Sequence, residues 1–182
     1  RDFVPWRDAQ GRVGFYDRVS NSFFPNRGRG WLRTPYLITD RDATTVTVDE
    51  GTFDAETMGA QTNIVKTSGG TLTVAAVGAV GSVDVRAGRL SLQNNLAEPF
   101  VVTDTLTLAG GTTLAFDMLA SGCDTIQNEN LVLTATAANP VRLVFSNNAP
   151  SLNGDLKYVL IAKGLQPGDE QKFTVPYPVR LW

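Results

Sequence analysis

The sequence predicts an all-β protein, built as a short β-solenoid or a β-sandwich with an N-terminal β-hairpin segment and almost no helix. Three observations lead to this fold class. Apolar and polar residues alternate with period two along most of the chain, as in strands with one buried and one solvated face. Gly, Asn or Pro bounds the alternating runs. Beyond a short turn at 54–60, no apolar pattern has the spacing of a helix.

The alternating runs give the strands in order. The N-terminal part, rich in Arg, aromatic residues and Pro, predicts short strands at about 2–6, 12–17 and 22–24. Further strands are predicted at 45–49, 71–74, 82–86, 89–93, 103–108, 113–117, 130–135, 141–145 and 157–161. We therefore divide the chain into a β-hairpin segment, residues 1–41, and a β-solenoid or β-sandwich module, residues 42–182.

Three glycine-led repeats favour stacked rungs. Gly69-Gly-Thr-Leu-Thr-Val74, Ala87-Gly-Arg-Leu-Ser-Leu92 and Gly110-Gly-Thr-Thr-Leu-Ala-Phe116 each join a glycine turn to an alternating strand. Leu72 and Leu90 are 18 residues apart, and Leu90 and Leu106 are 16 residues apart. Such near-regular spacing predicts rungs that bury their leucines against one another. An ordinary β-sandwich with strands of similar length fits the same spacing.

The composition excludes several classes of function. The chain has no histidine, which rules out Ser-His-Asp and Cys-His catalysis and zinc sites built on imidazole. The single cysteine, Cys123, forms no intrachain disulfide and is interpreted as a small buried strand residue. The pI of about 5.1, without a dense basic patch, argues against nucleic acid. No apolar run approaches the length of a membrane-spanning helix, so we predict no membrane insertion.

The charge is unevenly distributed along the chain. Residues 1–41 hold eight Arg against four Asp, a net charge of +4, and the remainder carries −6. A basic segment of this kind is suited to an anionic partner such as sialylated or sulfated glycan. The alternative is that these arginines are solvated or paired with neighbouring acids.

Two Asp-Thr dipeptides, Asp104-Thr105 and Asp124-Thr125, are the candidate catalytic residues. Aspartic proteases present two carboxyl groups that share a proton and activate water. Here Leu106 and Ile126 occupy the positions where such proteases have glycine, so the turn that presents the carboxylate is missing. We therefore expect Asp104 and Asp124 to be structural, with a carboxylate-dependent, aspartic-type hydrolase as the enzymatic alternative.

One acidic stretch is the candidate metal site. Four carboxylates, those of Asp49, Glu50, Asp54 and Glu56, occur within eight residues. Oxygen-rich loops of this kind bind Ca²⁺, but the ligand order of a calcium loop is missing. A solvated acidic loop is therefore the preferred interpretation, and the sequence predicts no cofactor.

The central repeats resemble the autotransporter-associated β-strand repeat. The resemblance rests on Ile64-Val-Lys-Thr-Ser-Gly-Gly-Thr-Leu-Thr-Val74 and Ser82-Val-Asp-Val-Arg-Ala-Gly-Arg-Leu-Ser-Leu92. The family's pattern is a Lys, a Gly-Thr-Leu strand, an excursion, an alternating strand and Ala-Gly-x-Leu. The resemblance implies a passenger-like β-solenoid or sandwich-like module, secreted or on the outer cell surface.

The N-terminal stretch resembles the last strands of LamG-like (concanavalin-A-like) domains found in surface proteins of Akkermansia-type gut Verrucomicrobia. The resemblance rests on Phe3-Val-Pro-Trp-Arg-Asp and on Gly11-Arg-Val-Gly-Phe-Tyr-Asp-Arg-Val-Ser-Asn-Ser-Phe-Phe-Pro-Asn26. It implies the remnant of a jelly roll, because so few residues cannot supply all of its strands.

Together these features favour a structural or adhesion module that contacts host glycoprotein or glycan, with mucin-type glycoprotein as the expected partner. Two alternatives stay open, an aspartic-type protease acting on mucin glycoprotein and an architectural spacer between functional domains. We also expect weak self-association, because an uncovered sheet edge pairs readily with another chain.

Overall fold

The structure is a computed structural model that describes residues 3–7, 13–17, 22–25, 36–41, 45–54, 62–76, 78–119, 122–146 and 159–175. Nearly all of the regular structure is strand, which confirms the predicted all-β class. The exception among the described residues is the short 3₁₀ turn Asp169–Lys172. The strands are β1 Phe3–Arg7, β2 Val13–Asp17, β3 Ser22–Pro25, β4 Tyr36–Arg41, β5 Thr45–Asp54, β6 Asn63–Lys66, β7 Thr71–Ala76, β8 Gly78–Val80, β9 Val83–Val85, β10 Arg89–Ser91, β11 Pro99–Leu108, β12 Thr113–Phe116, β13 Met118–Leu119, β14 Gly122–Cys123, β15 Thr125–Leu133, β16 Val141–Phe145 and β17 Phe173–Thr174.

The N-terminal strands form antiparallel hairpins, as predicted for this segment. Strand β2 pairs with β1 on one side and with β3 on the other, and Phe15 lies opposite Phe24. Strand β4 pairs antiparallel with β5, which begins the long parallel sheet. The residues on both sides of the predicted boundary at 41 therefore form one hairpin.

The remaining long pairings are parallel and arrange the strands in three columns. Column A contains the first half of β5, then β6, β9 and the second halves of β11 and β15. Column B contains the second half of β5, then β7, β10, β12, β16 and β17. Column C contains β8 and the first halves of β11 and β15, followed by a bridge from Ile126 to Ile161. The chain visits the columns in turn. Each passage through them makes one coil, and successive coils stack on each other.

The buried rows of these columns make the hydrophobic core. In column B, Leu72, Leu90, Leu114 and Leu143 lie opposite one another on successive strands and are at most 3% exposed. In column A, the equivalent row is Ile64, Val83, Leu106 and Leu131. The leucine spacing predicted from the sequence is thus right for Leu72 and Leu90 but wrong for Leu106. In the column B row, Leu114 rather than Leu106 follows Leu90, because the coil after Leu90 is longer than the coil before it.

Lys66 occupies an interior position that the alternation would give to an apolar residue. It lies between Val48 and Val85 in a buried row of column A and is fully buried. Its Nζ donates a hydrogen bond to the carbonyl oxygen of Ser68, in the turn that leads to β7. The aliphatic stem therefore extends the core, and the ammonium group supplies a donor to the turn.

Candidate functional site

Asp104 lies on the exposed side of β11, where the strand turns from column C into column A. Its carboxylate accepts hydrogen bonds from the hydroxyls of Ser82, at 3.3 Å, and Thr105, at 3.1 Å. The side-chain amide of Asn130, on the next coil, is 3.5 Å away. Ser82, Asp104 and Asn130 belong to three successive coils, so this carboxylate links the same corner from coil to coil.

Asp124 is in a different environment, directly before β15. The residue is 1% exposed, and its Oδ1 accepts a hydrogen bond from the backbone N–H of Glu98 at 3.2 Å. Its Oδ2 accepts one from the backbone N–H of Asp117. Both carboxylate oxygens are therefore used to hold neighbouring backbone.

The structure does not bring Asp104 and Asp124 together. Pro99 lies opposite Thr125, which places Asp124 beside Glu98, six residues before Asp104. Since a strand advances about 3.3 Å per residue, the straight part of β11 alone separates the Cα atoms of the two residues by more than about 10 Å. Two carboxyl groups that share a proton must be in contact, so the geometry gives the aspartic-protease hypothesis no support.

The carboxylate that does lie next to Asp124 is Asp117, which sequence reasoning missed. Strands β13 and β14 pair as a short antiparallel hairpin. Asp117 precedes the hairpin and Asp124 follows it, so the two aspartates lie side by side at its open end. Asp117 is 2% exposed, and its Oδ2 accepts hydrogen bonds from the backbone N–H groups of Asn94, at 2.9 Å, and Asn95, at 2.6 Å. An acidic residue at each end of a short hairpin was the available sequence signal.

Together Asp117 and Asp124 form what we call the carboxylate clasp, which holds the loop 94–98. The loop contains Asn95, whose φ of 67° lies in the left-handed region that asparagine tolerates better than most residues. Four backbone N–H groups, those of Asn94, Asn95, Glu98 and Asp117, have a clasp carboxylate as their acceptor. The clasp thus satisfies donors that would otherwise be costly to bury.

Burial raises the pKa of Asp124 to about 6, and the nearby charges of Asp117 and Glu98 act in the same direction. The two backbone N–H donors oppose this rise because they stabilise the ionised form. Burial, with the charges of Asp124 and Asp117, also raises the pKa of the Cys123 thiol to about 12. This thiol therefore stays protonated near neutral pH and is a poor nucleophile. Cys123 lies in a strand, as predicted, but it is half-buried rather than buried.

A shallow depression borders the clasp. Its cavity volume is about 10 Å³, which is room for about one water molecule and not for an organic ligand. Its lining consists of Val74, Leu92, Asn94, Glu98, Pro99, Phe100 and Asp124. One oxygen of Glu98, Oε2, is buried there without a hydrogen-bond partner. With both oxygens of Asp124 already bonded to backbone, the arrangement is better suited to holding the loop than to activating water.

The candidate metal site lies outside the residues whose side chains the structure describes. This applies to Asp49, Glu50 and Asp54, whose backbone belongs to β5, and to Glu56. Within the described part of the chain, no three acidic or thiol side chains are grouped so that they could hold a metal ion. Across the same residues, no helix has the length and apolar character needed to cross a bilayer.

A regular row of polar side chains runs along the outside of column B. Five residues lie opposite one another in register on β7, β10, β12, β16 and β17, and we call them the Thr-Arg ladder: Thr71, Arg89, Thr113, Arg142 and Thr174. Thr71, Arg142 and Thr174 are exposed, and the other two are half-buried. The ladder alternates hydroxyl and guanidinium groups along the direction of stacking.

Column A carries a different outward row. Its members, in register from coil to coil, are Thr47, Val65, Asp84, Thr107 and Val132. Its one ionisable member, Asp84, is paired with Arg86 at 2.7 Å. The two outward rows therefore differ in charge, since column B presents two arginines that no acidic side chain pairs with in the described part of the chain, and column A presents none.

Comparison of the chain with protein-family models, with curated proteins and with solved structures found no match.

Proposed function

We propose that the chain is a β-solenoid module of a secreted or cell-surface protein, with a structural and adhesive role, and that it contacts mucin-type glycoprotein. The observation that carries the proposal is the stacking of parallel strands in three columns, with the leucines of column B buried in a continuous row. Coils stacked in this way present long, regular outer surfaces, and extended surfaces are what repeat proteins use for binding.

The positions of the carboxylates support a role without catalysis. Asp104 links adjacent coils, and Asp117 and Asp124 hold backbone. Each is thus engaged in maintaining the fold. The resemblance of residues 64–92 to autotransporter-associated repeats favours the same surface role, and the mucin partner rests on the N-terminal resemblance.

The proposal is tested by measuring binding of the purified chain to immobilised mucin, with serum albumin as the control surface. We expect saturable binding to mucin that weakens after the glycans are removed enzymatically. Binding no stronger than to albumin would remove the adhesive part and leave an architectural spacer. Release of peptides from mucin, abolished by Asp104→Asn or Asp124→Asn, would instead favour the hydrolase.

A further inference from the structure

We propose that the Thr-Arg ladder is a binding site for an anionic glycan, a sugar chain bearing sulfate or sialate groups that lies along the stacking direction. This inference rests on the proposed adhesive function and assigns it a face and a ligand class. It starts from the register of five strands, which places Thr71, Arg89, Thr113, Arg142 and Thr174 in one line.

The spacing along the ladder is set by the sheet. Neighbouring strands lie about 4.8 Å apart, so each step from hydroxyl to guanidinium covers that distance. Arg89 and Arg142 are two strands apart and are therefore separated by about 10 Å at the backbone. A linear ligand that repeats its polar groups from unit to unit fits such a line, whereas a compact ligand would reach one or two members only.

The polar groups of four ladder members are available for a ligand, whereas the Nε of Arg89 is buried. Among the described residues, neither the guanidinium of Arg142 nor the hydroxyls of Thr71, Thr113 and Thr174 have a hydrogen-bond or ion-pair partner. Arg89 donates from Nη2 to the side-chain oxygen of Gln93, which orients its guanidinium. The next outward row of column B contains Ser91 and Ala115. Both residues are buried, so a ligand cannot reach the centre of that row.

The charge of the ladder selects an anion. No ladder member is acidic, and the acids beside its last strand are already engaged. Asp169 pairs with Lys172 at 2.8 Å, and Glu170 accepts a hydrogen bond from the backbone N–H of Gly168 at 2.8 Å. Guanidinium groups bind sulfate and carboxylate in a forked geometry, which suits both kinds of acidic sugar.

The alternation of residue types favours glycan over other polyanions. Hydroxyls stand between and beside the two arginines, where they match the hydroxyls of sugars that separate the acidic groups of a glycan. Nucleic acid carries a phosphate at every unit and is bound by dense clusters of Lys and Arg. Two arginines on a chain with a net charge of −2 do not form such a cluster.

The test compares Arg142→Gln with Arg86→Gln on the whole chain. Both arginines are solvent-accessible, but Arg86 lies outside the ladder. The probes are a sulfated glycosaminoglycan oligosaccharide, its desulfated form, sialylated mucin before and after sialidase, and duplex DNA. Circular dichroism and the thermal midpoint establish that each variant is folded.

We expect the native chain to bind a sulfated or sialylated probe and to lose that binding when the acidic group is removed. Arg142→Gln should weaken binding about tenfold, the size of one charge-assisted hydrogen bond, and Arg86→Gln should leave it unchanged. If Arg142→Gln weakens binding of the sulfated probe alone, sulfate is the recognised group. If it weakens binding of sialylated mucin alone, sialate is the recognised group.

Several results would overturn the assignment. Equal weakening by Arg86→Gln would indicate attraction to general surface charge. Binding of duplex DNA as tight as that of the glycan would indicate a non-selective polyanion surface. Binding of both the sulfated probe and sialylated mucin that survives Arg142→Gln unchanged would refute the ladder while leaving the adhesive function standing. Failure of the native chain to bind mucin would refute the adhesive function itself.

Discussion

Asp124 is a buried carboxyl group whose surroundings favour its protonated form. Its pKa is raised from an ordinary value of 3.8 to about 6, chiefly by burial. Because the folded protein therefore binds this proton more tightly than the unfolded chain does, the group contributes stability below about pH 4. That contribution is lost as the pH rises through about 6.

The raised pKa of Asp124 leads to a prediction for the pH dependence of stability. Relative to Asp124→Asn, the free energy of unfolding of the native protein should fall by about 1–3 kcal/mol between about pH 4 and about pH 7. Urea denaturation over this range measures it. Asp104→Asn is the control for removing a carboxyl group at an exposed position. Parallel curves for the native protein and Asp124→Asn would contradict the assignment.

The clasp also shows what the sequence could not supply at the scale of single residues. Asp104 and Asp124 share the dipeptide Asp-Thr, yet one is exposed and the other is buried. The partner of Asp124 depends on the hairpin of β13 and β14, two strands of two residues each. Elements so short carry almost no periodic signal, so the pairing of Asp117 with Asp124 appears only in three dimensions.

At the scale of elements, the turn between columns A and B depends on a glycine. Gly88 has a φ of 73°, and a Cβ at this position would lie 2.2 Å from the oxygen of Ser68 and 2.4 Å from that of Gly70. The turn of one coil therefore lies directly against the turn of the coil before it. A side chain there would have to displace backbone.

We expect Gly88→Ala to destabilise the protein by more than about 2 kcal/mol, since it combines a strained φ with a backbone clash. Gly69→Ala is the matched control in the neighbouring turn, because a Cβ at Gly69 meets nothing within 4 Å. It should change the free energy of unfolding by less than about 0.5 kcal/mol. Thermal and urea unfolding compare the two, and equal effects would show that the turns are not in close contact.

The buried leucine row gives a prediction for column B. Leu114 is 1% exposed and lies between Leu90 and Leu143. Leu114→Ala should cost about 2–5 kcal/mol, because the coils above and below restrict collapse of the cavity. Thr113→Ala on the same strand removes an outward side chain and should cost less than about 1 kcal/mol. A small effect of Leu114→Ala in urea denaturation would argue against a tightly packed row.

Sequence patterns identified the strands of columns A and B better than those of column C. Thr71–Ala76, Arg89–Ser91 and Thr113–Phe116 each follow a glycine turn and alternate, and were predicted. The members of column C are short, and residues 99–102 read Pro-Phe-Val-Val without alternation. Such a run has no period to detect, so the first half of β11 was missed. The pairing of strands within each column could not be predicted either, because parallel partners are far apart in sequence.

At the scale of the whole molecule, parallel stacking predicts that protection of the backbone amides from hydrogen exchange varies along column B. Strands β10 and β12 each have a hydrogen-bonded neighbour on both sides, whereas among the described residues β17 pairs with β16 alone. Amide hydrogens of β10 and β12 should therefore exchange most slowly and those of β17 among the fastest of the column. Hydrogen exchange read by mass spectrometry measures this, and uniform protection would indicate that column B opens as one unit.

The coils of column B grow longer along the chain. From Leu72 to Leu90 the chain takes 18 residues, from Leu90 to Leu114 it takes 24, and from Leu114 to Leu143 it takes 29. The leucines nonetheless stay opposite one another, so the additional residues are absorbed at the corners, outside the columns. The exposed turn at 137–138 is a corner of this kind outside the clasp, and an epitope or affinity tag grafted there would be displayed without disturbing the register beneath it.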